Sequence, residues 1–521
     1  MFIVFRTDAN PSIGTGHAMR CLALAEALHD HGGQCLFLCR GEGLGSIGDR
    51  IANAGHQIML LPEGPLLDTQ SSISSPTPPH AGWLPHGWQW DAAHCREVLV
   101  NYPHPDWLVV DHYALDTKWE AAMRPIVGNC LVIDDLADRD HNCDMLVDQN
   151  LPPDAERRYD KLTPSHCSRL VGPRFALLRN EFASARQSAL ERRSQAPTKR
   201  LIVMFGGADV NDLTGQTVDI IHKLQINCTV DVVVGPLYTA RQALLERLAK
   251  LSEARLHVNP GNIAQLMSQA DLAIGSPGVT SWERCSLGLP TIAIAVAANQ
   301  ETMAEALARL GAHLYLGRHI NLSDTELPAA IRVLADNAFL RQNMTSTAAG
   351  LTDGQGAQRI ARRLAAGPVK LRHAEVADAR MLYEWRNDPL VRRHALNSAP
   401  IPWASHGEWF KNKLKDSNTL IWVAQIGDTD MGCVRFDLAN QQARISIYLA
   451  PEYLGRSLAT PILKAAENKL ALEHPDILQI VAEVKADNEP SRKAFASAGY
   501  QLDHRVFIKT PETASLADIL D

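Results

Sequence analysis

FIVFRTDANPSIGTGHAMRCLALAEAL, residues 2–28, is the stretch from which the fold reads outward. Its opening apolar run, FIVF, has the composition of a strand buried on both faces. The chain then enters a turn with glycines at Gly14 and Gly16, where backbone can approach a ligand closely. A long amphipathic helix follows directly. A helix N-terminus presents unpaired N–H groups and a partial positive charge, so an anion fits there. His17 stands at that point. It is either a capping or exposed imidazole or a functional group aimed into a cleft, and its place after Gly-Thr-Gly on the first βα turn favours function.

Similar short apolar runs recur at CLFLC (from Cys35), IMLL (from Ile58), WLVVD (from Trp107), LVIDD (from Leu131) and MLVDQN (from Met145). Continuous apolar runs separated by helical patterns mean parallel sheet and βαβ units. The polar, helical stretch SARQSALERRSQAPTK (from Ser184) interrupts the pattern. It restarts with LIVMF (from Leu201), VDVVVG (from Val230), DLAIG (from Asp271) and TIAIAV (from Thr291). Two α/β halves, residues 1–183 and 199–366, are therefore expected, with a ligand in their cleft. Beyond GLTDGQGAQRIARRLAAGPVK, which ends at Lys370, the grammar changes. Helical segments around Val376–Asp388 and His406–Lys415 precede a hairpin-like pair, LIWVAQIG and MGCVRFDL. A strand ARISIYLAP, a helix from near Gly455, a strand IVAEVKA and a short helix Pro490–Ala498 complete a smaller α+β domain over residues 369–510. One Pro-, Ser- and Gly-rich loop from Pro62 carries Trp83, Trp88 and Trp90, which either cover the cleft or pin a surface excursion.

The net charge of -7 offers no basic stripe, which argues against a nucleic-acid partner. None of the ten cysteines forms a Cys-x-x-Cys pair, and Cys35 and Cys39 share one face of an apolar run, the position of core thiols. Scattered free thiols suit a reducing compartment. With no signal-peptide pattern and no apolar stretch long enough to span a bilayer, a cytoplasmic location and no membrane partner are expected.

The second half repeats the first site's ingredients. Gly206 and Gly207 end its first strand as a backbone cradle for phosphate. In GSPGVTSWERCSLGLPTIAIAVAANQ, Ser276, Gly278 and Thr280 open a helix that should point at a diphosphate. Glu283 lies further along it, as a ribose contact or a solvated charge. Asn299 and Gln300 follow the next strand at its C-terminal edge, where α/β ligands sit.

Seven ordered blocks carry a resemblance: GTGHAMRCLALA, DWLVVDHYALDTKWE, VIDDLADRDHNCDMLVDQN, VGPRFALLRNEF, FGGADVNDLT, SPGVTSWERCSLGLPTIAI and DGQGAQRIA. With them the first two-thirds of the chain resembles the UDP-sugar hydrolases of the pseudaminic acid pathway. These release UDP from UDP-2,4-diacetamido-2,4,6-trideoxy-β-L-altrose. The resemblance implies an α/β fold of two Rossmann-like domains in the glycosyltransferase-B arrangement. It also implies that His17 is the catalytic histidine, Asn299 a substrate-binding residue, and Arg179 or Arg174 a basic substrate contact. UDP is a stable leaving anion, so the enzyme must supply charge neutralisation and a directed water. His17 as general base fits the second task and predicts inversion at the anomeric carbon. Asp111, His112 and Tyr113 are candidate sugar contacts, whereas Asp134 and Asp135 are better read as capping the next turn. Nothing in this chemistry demands a metal. A glycosyltransferase using the same cleft is the rival reading.

ARISIYLAPEYLGRSLATPILKAAENKL and AEVKADNEPSRKAFASAGY resemble the GCN5-related N-acetyltransferases, which implies acetyl-CoA as co-substrate. In that family a strand, here ending at Leu449, feeds a pyrophosphate loop of the form Arg/Gln-x-x-Gly-x-Gly/Ala. The loop aligns with Leu454, Gly455, Arg456, Ser457, Leu458 and Ala459, so Leu454 and Ser457 depart from it. Asn488, Ser491 and the Gly499-Tyr500 pair match family positions. Phe495 stands where many members carry a proton-donating tyrosine. YEWRNDPLVRRH and SHGEWF resemble the branch that acetylates the UDP-linked amino sugar of the same pathway. Trp385, Arg386, His406 and Trp409 then shape the sugar-nucleotide site, or serve ordinary packing. A degenerate acetyltransferase retained as a scaffold is the alternative.

Overall fold

The computed structural model describes residues 1–10, 12–41, 44–64, 78–151, 154–155, 157–193, 198–206, 209–365, 367, 369–427, 429–455 and 458–502. Gly207, Arg456 and Ser457 lie outside the described residues. The chain divides into two compact units, Met1–Ala366 and Gly367–Asp521.

The first unit holds two sheets, each built from the apolar runs. In the first, β1 (Phe2–Thr7), β2 (Gln34–Arg40), β3 (Gln57–Leu61), β4 (Trp107–Asp111), β5 (Asn129–Ile133), β6 (Met145–Asp148) and β7 (Ser168–Val171) lie in the order β3-β2-β1-β4-β5-β6-β7. Every pairing is parallel. All five residues of β4 are buried, because helices cover both faces. The second sheet contains β8 (Arg200–Met204), β9 (Thr229–Val234), β10 (Ala254–Val258), β11 (Leu272–Gly275), β12 (Thr291–Ala295) and β13 (Leu314–Arg318), in the order β10-β9-β8-β11-β12-β13. It too is parallel throughout. Both are doubly wound Rossmann-type sheets, which place a crevice where the strand order reverses, between β1 and β4 and between β8 and β11.

The helix Asn180–Arg193 leads from one sheet to the other. Its Arg186 donates to the carbonyls of Ala349 (2.7 Å) and Thr352 (2.9 Å), and its Arg193 to those of Leu287, Met267 (2.5 Å) and Ala270 (3.1 Å). These carbonyls end neighbouring helices, whose last turns lack intrahelical donors. One assignment by chain order needs correction. The helix Gly356–Ala365, counted with the second half by sequence, puts Ala357, Ile360, Ala361 and Leu364 into the core of the first, beside Ile3, Phe5 and Leu22. Its amphipathic stripe was legible, but a stripe does not say which core it joins.

The second unit is a five-stranded mixed sheet of β14 (Val369–His373), β15 (Thr419–Ile426), β16 (Thr429–Ala439), β17 (Gln442–Leu449) and β18 (Gln479–Ala482), in sequence order. The first four strands pair antiparallel, and β17 pairs parallel with β18. One face packs on the helices Ala459–Glu473 and Glu489–Ala498 through Trp422, Phe436, Ile462, Leu463 and Phe495. The other packs on the helices Ala379–Asn387 and Trp403–Lys413 through Ile421, Val423, Leu382 and Phe410. Among the described residues, no helix is long and apolar enough to cross a membrane.

Candidate active sites of the two units

The turn after β1 is held by its own side chains. The Asn10 side-chain oxygen Oδ1 accepts from the backbone N–H of Ser12 (2.9 Å) and Ile13 (2.8 Å), and Gly14 takes a φ of 78° that favours glycine. The helix Gly16–His29 starts there, and its first turn brings His17 over the end of β4. His17 Nδ1 lies 2.6 Å from Asp111 Oδ1. Asp111 is fully buried and also receives Arg20 Nε (2.6 Å) and Arg20 Nη2 (2.7 Å). Burial opposes its charge, but the guanidinium of Arg20 and the His17 ring hold its carboxyl well below the usual carboxylate range. An ionised Asp111 can only accept, so His17 carries its proton on Nδ1 and Nε2 is left with the lone pair.

Around this pair, Arg20 Nη1 reaches Asp135 Oδ2 (3.0 Å), and the Tyr113 hydroxyl donates to Asp135. The imidazole packs edge-on against the rings of Tyr113 (4.5 Å) and Trp83 (5.8 Å). Of the two roles open to the tryptophan loop, Trp83 therefore takes the one at the site, while Trp90 stacks on His94. Asp111 as a sugar contact is corrected: it is sealed from solvent and all its accepting capacity faces inward. His112 is likewise buried, with Nε2 3.2 Å from Asp8. Asp135, read as a turn cap, instead links Arg20 and Tyr113. Sequence reasoning passed over Arg20, although its spacing of three from His17 puts both on one helix face.

In the facing half, the turn Ser276–Gly278 follows β11 and opens the helix Val279–Ser286. A Cβ on Gly16 would lie 3.8 Å from Val279 Cγ2, so the starts of the two glycine-opened helices meet. Ser276 is buried and Thr280 half-buried, and Gly206 turns the chain after β8 with a φ of 98°. Glu283 lies 4.0 Å from Arg179, which also pairs with Glu181 (2.7 Å). Burial pushes the Glu283 carboxyl up. Gln300 Oε1 accepts from the Val296 N–H (2.9 Å), so that side chain is spent on the loop, whereas Asn299 is exposed. Arg174 is not drawn into the His17 cluster. It stacks on Phe175 and neighbours Arg359 on the helix Gly356–Ala365. Among the described residues, no group of three or more His, Cys, Asp or Glu is placed to hold a metal ion.

In the second unit, β17 pairs with β18 only over Gln442–Ile445, and the strands part beyond it. Ser446–Leu449 thus have no ladder partner on that side among the described residues, a slot suited to an extended ligand. Gly455 turns with a φ of 73°, and the helix Ala459–Glu473 begins with Leu458 as its cap residue. Asn488 is used internally: its oxygen accepts from the Ser491 N–H (3.1 Å) and its amide donates to the His394 carbonyl (3.2 Å). Phe495 is buried against Tyr500, with ring centres 4.9 Å apart. On the sheet's other face lies a cavity of about 370 Å³, lined among others by Arg386, His406, Trp409, Arg435 and Tyr448. Arg386 Nη1 has no hydrogen-bond partner there among the described residues, and the Arg435 guanidinium lies 5.4 Å from the Trp409 ring centre. Trp385 instead joins the packed cluster around Leu382 and Phe410.

Residues 369–501 match the acetyltransferase (GNAT) domain family. The second unit is a GNAT domain. An uncharacterized protein of Methanocaldococcus jannaschii is 22% identical over 435 residues, 78% of this chain and 84% of its own length. That share exceeds what the 366 residues of the first unit can supply, so the likeness runs through both units. The UDP-2,4-diacetamido-2,4,6-trideoxy-beta-L-altropyranose hydrolase of Campylobacter jejuni is 26% identical over 314 residues, 60% of this chain and 97% of that protein. The chain is thus similar to that hydrolase over nearly the enzyme's whole length. Among solved structures, MurG of Acinetobacter baumannii superposes with a TM-score of 0.49 at 16% identity, covering 70% of this chain and 99% of that one.

Proposed function

We propose that the first unit hydrolyses a UDP-linked diacetamido-trideoxy sugar and that the GNAT domain N-acetylates the amino-sugar nucleotide preceding it. The observation that carries the first reading is the His17–Asp111 pair, set at the β1/β4 switch point and facing a second helix start. Asp111 fixes the tautomer, so Nε2 is the basic atom available to the cleft. A water there gives its proton to Nε2 while its oxygen bonds to C1. The C1–O bond to the diphosphate breaks, UDP leaves with the electron pair, and the anomeric centre inverts. The Ser276–Gly278 turn and the two helix starts face the diphosphate and stabilise the charge that grows on it. The likeness to the Campylobacter jejuni enzyme supports this choice of sugar.

For the GNAT domain, acetyl-CoA brings an activated acetyl group. The slot beside Ser446–Leu449 and the turn at Gly455 fit its pantetheine and pyrophosphate, and the cavity carrying Arg386 and Trp409 fits the acceptor. The acceptor amine bonds to the acetyl carbon and the carbon–sulfur bond breaks to release CoA.

His17→Ala is expected to abolish UDP release while acetylation continues. Mass spectrometry of the products from the 4-amino UDP-sugar plus acetyl-CoA reads both steps at once. Free sugar formed without any acceptor supports hydrolysis. Release that depends on an added acceptor would replace it with glycosyl transfer, and loss of both activities in folded His17→Ala would refute two separate sites.

A further inference from the structure

The helix Val279–Ser286 carries a charge that the proposed chemistry does not use. Arg284 is fully buried, and burial pushes its guanidinium down to about 10. Nη2 donates to the Ser276 carbonyl (2.8 Å) and to Ser281 Oγ (3.2 Å). Nε and Nη1 have no partner among the described residues, and no carboxylate there forms an ion pair with it. Of its titratable neighbours, the buried Glu283 carries an opposing charge that acts through space without forming an ion pair with it. His313 is buried and held neutral with Nδ1 also unpartnered, and burial raises the Cys285 thiol to about 12. A buried cation with no paired counter-ion is costly and calls for further negative charge.

The location says where that charge belongs. A Cβ on Gly275 would lie 3.1 Å from Arg284 Nη1 and 2.0 Å from the Met204 carbonyl oxygen. The missing side chain thus leaves room for the guanidinium between the ends of β8 and β11, the second sheet's switch point. From there its two occupied bonds grip the turn that opens the helix.

We propose that Arg284 is a positioning residue for the diphosphate of the bound nucleotide. It fixes the Ser276–Ser281 turn from behind and presents across it a positive charge that the anion neutralises. Being enclosed, it acts through the turn and not by touching the ligand. This rests on the reading that the crevice takes a nucleoside diphosphate, and the test separates the two. Calorimetric titration of the full chain with uridine, UMP and UDP is run on wild type, Arg284→Met, Arg284→Lys and Ser281→Ala, with a melting curve for each. Wild type should prefer UDP to uridine. Arg284→Met should lose about tenfold or more in UDP affinity, as for the loss of a buried positive charge that the diphosphate neutralises, with uridine almost unchanged. Arg284→Lys should restore most of the loss, and Ser281→Ala should show a smaller one, again selective for UDP. A folded Arg284→Met that keeps the full preference for UDP, or weakens both ligands alike, overturns the role of Arg284. If Arg284→Met does not fold, an unchanged preference in Ser281→Ala overturns it. A wild type indifferent between uridine and UDP overturns the nucleotide reading beneath it.

Discussion

Asp111→Asn probes the centre of the first site with a change of one atom. Asp111 accepts from the His17 ring, Arg20 Nε and Arg20 Nη2, at 2.6, 2.6 and 2.7 Å, and more weakly from the Cys21 thiol at 3.6 Å. An asparagine has one oxygen to offer, and the fully buried Arg20 fork claims it first. The amide NH2 then faces His17 Nδ1, which must become an acceptor. The ring proton moves to Nε2, and the atom that should take a proton from water already carries one. General-base catalysis is worth about 10²–10⁴ in rate, so kcat should fall by roughly that factor, about 3–5 kcal/mol in barrier, with KM little changed. UDP release in a coupled assay measures kcat and KM, and a melting curve confirms that the protein is folded. The substitution also costs stability, since Arg20 is left partly unpaired. Because the Asp111 carboxyl is depressed in the folded protein, its contribution is complete above its unfolded value of about 4 and is lost as pH falls below that. The melting temperatures of wild type and variant should therefore converge in acid. A folded Asp111→Asn with kcat within about threefold of wild type would refute the tautomer argument.

His141 is buried between Glu120 (2.7 Å) and Asp134 (3.9 Å), and the two carboxylates push it up to about 9. Its raised value means stability that is complete below about pH 6.5 and lost as pH rises through 9, roughly 3 kcal/mol in all. Urea midpoints should fall over that window in wild type and stay flat in His141→Gln. Arg193→Met removes the donor shared by the Leu287, Met267 and Ala270 carbonyls and should cost about 1–3 kcal/mol, read as a lower urea midpoint without a changed slope. In the GNAT domain, Arg386→Met should raise KM for the nucleotide-linked acceptor by about tenfold while leaving that for acetyl-CoA unchanged, by steady-state CoA release. An equal rise in both would place Arg386 outside the acceptor cavity.

Sequence showed every inner strand and hid four of the six edge strands, for one physical reason. Trp107–Asp111 and Thr291–Ala295 are wholly buried and had to be written in apolar residues. Ser168–Val171, Ala254–Val258, Leu314–Arg318 and Val369–His373 were not picked out as strands. Each is the edge of its sheet, half-exposed and free to carry Arg, His and Lys. The site divides in the same way. His17 was legible because a glycine turn and a helix start mark its place in the chain. Arg20 and the link from Asp135 to Tyr113 were not, since these roles come from contacts across 22 to 115 residues of sequence, which no local pattern encodes.

On the proposed reading, those long contacts would let a histidine in one lobe act on a bond whose leaving group the other lobe holds. From His17 the bonds run to Asp111, from Asp111 to Arg20, and from Arg20 to Asp135. Asn150 extends the chain, its amide donating to Asp135 (3.3 Å) and its oxygen accepting from Trp282 Nε1 (3.1 Å). Trp282 is fully buried in the helix that the Ser276–Gly278 turn opens. Fully satisfied buried networks specify one geometry, because each broken link strands a polar group away from water. The base and the diphosphate turn are thereby set in register through side chains, without either touching the other. Asn150→Leu cuts this link and spares every residue facing the cleft. It should lower kcat with UDP affinity preserved, whereas an unchanged kcat would leave the two halves of the site positioned independently.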